Sequence, residues 1–200
     1  MELFIIGIIT GTIIGIPRDT YSEMLSQNCV KKGIGQSVVI GIGMSLAVAF
    51  MTIIDMIVLF FLGKYMLRAG SVLTYIMGAL LIITNVIGII KSDSSYEVDN
   101  TGTSFMNLMT GIMIGISEFT NIFLILLLYV YFDIARLKFS EYAILLGGTV
   151  AGAFLICVVM GIIFKLVDNV REIKSTRGYN LLVNIAMVCA GIFIILKEAV

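Results

Sequence analysis

Six stretches of this chain, at about 3–25, 34–62, 70–90, 105–131, 141–166 and 179–196, are apolar over close to the length that crossing a membrane requires. A hydrocarbon core of ~30 Å takes about 20 residues of helix, and a segment inside it must satisfy its own backbone N–H and C=O groups. The expectation is an all-α integral membrane protein with six transmembrane helices. Composition agrees: 60% of the 200 residues are hydrophobic and 13% charged, where soluble domains carry about 25% charged residues.

The first run differs from the others. Leu3 to Ile16 covers 14 residues, about 21 Å of helix, which is short of the core thickness. It is either re-entrant or continues past Pro17, and continuation is the favoured reading. Proline cannot donate its backbone hydrogen bond and disfavours helical geometry in the residue before it, so the first helix is expected to be broken near Pro17. Glu2 stands where a leader peptide would carry positive charge, and no small-residue cleavage site follows; a retained helix is expected.

Lys91 to Ser104 is the longest polar connection and divides the chain nearly in half. Thr10-Gly11-Thr12-Ile13-Ile14-Gly15-Ile16 before it is echoed by Thr110-Gly111-Ile112-Met113-Ile114-Gly115-Ile116 after it, each in the first helix of its half. Lys32 to Gly41 and Lys138 to Gly147 share a spacing as well. This suggests one membrane domain built as repeat one (1–91), a polar linker (92–104) and repeat two (105–200). With three spans per half the repeats would be inverted, as in many secondary transporters.

Lipid gives helices no hydrophobic reason to associate, so small residues at i+4 spacing mark where backbones approach closely. Gly7, Gly11 and Gly15 form one such stripe, Gly41 sits in a second with Gly33, Ser37 and Ser45, and Gly111 and Gly115 form a third with Asn107. Such faces serve packing, and some are expected to slide or rock during transport. A bundle this small with glycine-lined faces is expected to form a homodimer.

Against this apolar background, ionisable groups stand out. A charge near the bilayer centre costs about 2.5–3.5 kcal/mol on insertion scales and usually faces a bundle interior or a water-filled path. Pro17, Arg18 and Asp19 follow the expected break, Asp55 lies within the second run, and Ser117 and Glu118 interrupt the fourth, with Asn121 one turn on. These seven are the candidate substrate-binding residues. Unwound backbone would offer N–H groups to a carboxylate and carbonyls to a cation. Arg18 would grip a carboxylate, and Asp19, Asp55 or Glu118 would receive an ammonium group or a coupling proton. The bland alternatives are an interfacial Arg18 and Asp19, and an Asp55 paired internally; Asn85, Asn107 and Asn184 read as interhelical hydrogen-bonding groups.

The 13 basic and 13 acidic residues cancel, which gives nucleic acid no basic patch to bind. Three scattered cysteines and no histidine make a metal site, haem or thiol relay poor expectations. No cofactor is implied, and no nucleophile or metalloenzyme motif points to an enzyme. Across six spans, Lys31, Lys32, Lys91, Lys165, Arg171, Lys174 and Arg177 fall on one side, and Lys64, Arg68, Arg136, Lys138 and Lys197 on the other. The positive-inside rule then places both termini outside, in a prokaryotic plasma membrane.

The segment from Phe4 through Gly43, with Gly11, Gly15, Pro17, Lys32, Gly33, Gly41 and Gly43, resembles the amino-terminal signature of the lysine-exporter (LysE/RhtB) superfamily: a glycine-containing helix, a proline break, a basic turn and a glycine-spaced second helix. Chain length, span count and the second interruption at Ser117-Glu118 are similar too. Arg18 and Asp19 stand where that family has Gly-Pro, and Ser117-Glu118-Phe119 where it commonly has Asn-Pro-Lys. The resemblance implies export of amino acids or similar small metabolites, driven by an ion gradient, from a site at the two breaks. The rival expectations are an inorganic-ion transporter or channel using Asp19 and Glu118, and a non-transporting membrane subunit or assembly factor.

Overall fold

Long runs of leucine, isoleucine and methionine, with glycine in place of the usual helix-breaking proline, make helix the natural state of most of this chain. The computed structural model describes residues 1–68, 70–91, 103–118, 120–132, 134, 137–168 and 177–199. Among these every regular element is an α-helix: α1 (Glu2–Ile14), α2 (Asp19–Lys32), α3 (Ile34–Arg68), α4 (Gly70–Lys91), α5 (Ser104–Ser117), α6 (Thr120–Tyr131), α7 (Phe139–Asp168) and α8 (Arg177–Ala199). Within α3, α7 and α8, the stretches Ile34–Phe61, Ser140–Val167 and Arg177–Leu196 are long and apolar enough to cross a membrane. The bent pair α5 and α6 makes a fourth if it is counted as one span. Large apolar side chains such as Phe50, Phe60, Phe61, Leu155, Leu182 and Phe193 cover the outside, as lipid contact requires and water would penalise. The polar linker falls almost wholly outside the described residues.

The chain leaves helical geometry beside Pro17 and again at Glu118. α1 stops at Ile14, residues 15–18 leave helical geometry, and α2 starts behind Arg18, whose backbone is extended at φ −129° and ψ 154°. α5 stops at Ser117 and α6 leaves it at 63°. α2 is the odd member: its sequence is polar, yet Tyr21, Ser22, Met24, Leu25, Ser26, Asn28 and Cys29 are all buried. It ends at Gly33, whose φ of +87° suits glycine and almost nothing else; the chain turns there directly into α3.

The stripes are where backbones meet. Gly7 lies on Leu145 and Gly148, Gly11 on Thr149 and Ala153, and Gly15 on Ala153 and Ile156, so α1 runs parallel along α7. α5 runs parallel along α3 in the same manner, with Gly111 on Ile40 and Gly43, and Gly115 on Met44 and Ala47. α4 and α8 pack antiparallel through Gly78, Gly88 and Gly191. Gly41 lies on Cys157 and Gly161 on Ser37, which sets α3 antiparallel to α7. Each tight pair therefore takes one helix from either side of the linker, and the halves are interlaced rather than side by side.

The echoed heptads are out of step with this packing. Gly7 and Gly111 meet matching neighbours, a carbonyl at Leu145 or Ile40 and a glycine Cα at Gly148 or Gly43. That is an offset of 104, one helical turn from the offset of 100 between the heptads. A glycine every fourth residue makes the two registers look alike in sequence, whereas contact with the neighbouring helix does not.

A methyl group at Gly11 would collide with the Thr149 carbonyl, while one at exposed Gly35 would meet nothing. Gly11→Ala should therefore lower stability by about 1–3 kcal/mol or more, and Gly35→Ala should raise it by about 0.5–1 kcal/mol, read from unfolding in detergent. Equal effects of the two changes would refute the α1–α7 contact.

Candidate functional site

Pro17 sets the site by ending one helix and leaving Arg18 to begin the next. Arg18 is only 8% exposed. Its Nη2 donates to Asn121 Oδ1 and lies 3.5 Å from Glu118 Oε2, while Asn121 Nδ2 donates to that same carboxylate oxygen at 3.1 Å. The three side chains close a triangle between the break after α1 and the break after α5. Arg18 and Glu118 form a salt bridge across it.

Both breaks lie level with the middle of the long apolar helices. Gly15 abuts Ala153 and Ile156 in the middle of Ser140–Val167, and Gly115 abuts Met44 and Ala47 in the middle of Ile34–Phe61. At that level the freed backbone needs internal partners. The Arg18 carbonyl accepts from Tyr21 N–H at 2.9 Å and Ser22 N–H at 3.2 Å, and the Glu118 carbonyl from Asn121 N–H at 2.8 Å. The Gly15 carbonyl accepts from the Cys157 thiol at 3.8 Å, and Cys157 Sγ in turn lies 2.8 Å from the Tyr21 hydroxyl.

The triangle has donors to spare. Arg18 Nε is buried with no partner among the described residues, and so is the Tyr179 hydroxyl, which lies within electrostatic reach of Arg18. Tyr179 is held edge-on to Phe164 at 5.4 Å. Next to it, Asn180 accepts a hydrogen bond from Ser22. The site thus pairs a cation that has an unused N–H with a carboxylate on the opposite break.

Of the seven residues singled out in sequence, Arg18, Glu118 and Asn121 come together, and Pro17 is buried beside them. Ser117 does not join: it is exposed and its hydroxyl donates to Ile114 of its own helix at 2.7 Å. The side chain of Asp19 lies outside the described residues. Asp55 is buried on α3 with no bond to the triangle. Asn107 lies away from the triangle and donates to Gln36 of α3 at 2.8 Å, the interhelical role expected of it. Tyr21, Ser22, Cys157, Tyr179 and Asn180 went unnoticed in the sequence. Tyr21 and Ser22 were findable, since they follow Arg18 at i+3 and i+4 on one helix face.

A cation and an anion that satisfy each other in a dry interior should be strongly coupled. In a double-mutant cycle on Arg18→Gln and Glu118→Gln, unfolding in detergent should give an interaction energy of about 0.5–3 kcal/mol, with the double variant less damaged than the sum of the singles. Strict additivity would mean the pair does not form. Compared with known proteins, the chain matches no family model, no curated protein and no solved structure, so its functional reading rests on this geometry.

Proposed function

We propose that this protein is a secondary transporter that exports an amino acid or a similar small zwitterion by alternating access, coupled to an ion gradient. The observation that carries this is the Arg18–Glu118–Asn121 triangle linking two helix breaks at mid-depth. Its two charges suit the two ends of a zwitterion. A substrate carboxylate would take Arg18 through its unused Nε–H and Nη2, a bidentate geometry, while the ammonium group would take Glu118. In the unloaded state the residues neutralise each other, which avoids an isolated charge in hydrocarbon. Substrate would exchange one ion pair for two.

In this reading α1–α2 and α5–α6 are each one broken crossing, and with α3, α4, α7 and α8 they make six spans in two inverted repeats. The matching parallel pairs, α1 on α7 and α5 on α3, support the inversion. So does the resemblance to lysine exporters around Gly11, Pro17 and Gly41. The polar residues of α2 fit a half-span that is buried in protein or lines water. A bare inorganic cation is a weaker candidate, because the Arg18 guanidinium stands 3.5 Å from Glu118.

Proteoliposomes loaded with a panel of radiolabelled amino acids test the proposal. Efflux of at least one is expected, and Glu118→Gln should fold normally yet lose most of it, any residue of transport losing its dependence on pH. No efflux of any amino acid, or unchanged efflux by Glu118→Gln, would remove the reading. Reporter fusions beside Met1 and Ala199 should appear on the same side of the membrane, the outside by the positive charge of the loops; opposite sides would rule out six spans.

A further inference from the structure

A second buried polar cluster lies on α3, apart from the triangle. Asp55 is 0% exposed, and neither carboxylate oxygen has a hydrogen-bond partner among the described residues. Its surroundings are hydroxyls. Thr52, one turn earlier on the same face, is fully buried with an equally unpartnered Oγ1. Tyr129 of α6 stands beside Thr52 and within electrostatic reach of Asp55.

Hydrogen-bond direction decides what this cluster can bind. The Thr149 hydroxyl donates to the Leu145 carbonyl at 2.9 Å, so the contact of 3.0 Å between Thr149 and Tyr129 must have Tyr129 as its donor. Tyr129 then has only lone pairs left to offer. Among the described side chains, the other titratable groups on helices packed against α3 are occupied or placed elsewhere. α5 has none, Tyr75 of α4 is exposed, Glu141 and Tyr142 open α7, and Lys165 closes it. On α2, Tyr21 bonds to Cys157 and Lys31 and Lys32 sit in the last turn, with Glu23 and Cys29 between. No salt bridge ties Asp55 to a cation among the described residues. An ionised carboxylate here could receive at most the Thr52 hydroxyl hydrogen and would face no cation, which leaves a buried charge largely uncompensated, whereas a carboxylic acid has one hydrogen to give and the lone pairs of Thr52 and Tyr129 to accept it.

We infer that Asp55 is a proton-binding site, held as the acid at neutral pH with its O–H directed at the oxygens of Thr52 and Tyr129, and exchanging with water when the surrounding helices part. The carboxylate takes a proton from hydronium at one membrane face, leaving water. At the other face the O–H bond breaks to water and the carboxylate is restored. The use made of that proton, driving efflux, rests on the transporter reading; the site itself does not.

Infrared spectroscopy of the protein in lipid vesicles, with no substrate added, tests this directly. At neutral pH a carboxylic C=O band should be present, move when the wild type is labelled with 13C-aspartate, disappear in Asp55→Asn and persist in Glu118→Gln. Transfer to D2O should shift it within minutes. The isotope label needs no substitution, so a misfolded Asp55→Asn cannot hide the result. The absence of an aspartate-sensitive band overturns the inference, as does a band that resists D2O overnight, which would mark a sealed structural acid. A band abolished by sodium chloride at constant pH would assign the oxygens to a metal cation and overturn it equally. Failed amino acid efflux would leave all these outcomes readable.

Discussion

Backbone that leaves helical geometry inside an apolar bundle exposes carbonyl and amide groups that lipid cannot satisfy, and the rest of this fold is arranged around two such places. Side chains that would be unwelcome elsewhere in the interior become useful there. Cys157 reaches the Gly15 carbonyl, the first turn of α2 closes onto the Arg18 carbonyl, and Asn121 folds back on Glu118. The ion pair grows out of the same requirement. A break on one side of the bundle leaves a cation, a break on the other leaves an anion, and each is the cheapest available neutraliser of its opposite.

This accounts for the unequal character of the two half-helices that follow the breaks. α6 reads TNIFLILLLYVY and belongs among apolar neighbours, whereas α2 carries Ser22, Ser26 and Asn28 into the interior. Two of them donate to internal partners: Asn28 Nδ2 to the Met24 carbonyl at 2.9 Å, and Ser22 to Asn180. Polar residues in α2 thus reflect burial within protein rather than exposure to solvent.

Much of this was legible in advance because it depends on local chemistry. Pro17 fixes a break through its own ring, and Gly7, Gly11, Gly15, Gly111 and Gly115, spaced on one face, are all buried. Arg18 and Glu118 stood out as costly charges at the two interruptions, each expected to meet substrate; their bond to each other emerged only from the packing. What could not be read is whatever depends on the register between helices. The heptads matched at the wrong turn because a period of four repeats itself, Ser117 turned to its own backbone, and Tyr179 sits far from Arg18 in sequence. Asp55 looked like a third member of one site and is a separate centre, since only packing decides which face of α3 meets α6 and which meets α5.

The glycine contacts also set the kinematics of the molecule. A stripe pressed onto carbonyls is a ratchet with very coarse teeth: sliding α1 along α7 by one residue would drive an isoleucine side chain into backbone, so the pair can travel only as a single beam. The same holds for α5 on α3. Because each beam combines one helix from either side of the linker, the first and second halves of the chain are not the mechanical units. The joints are residues 16–18 and the step from Glu118 to Thr120, each beyond the last glycine of its ridge. Any large rearrangement would swing one beam against the other, and the side chains at the joints would feel it first.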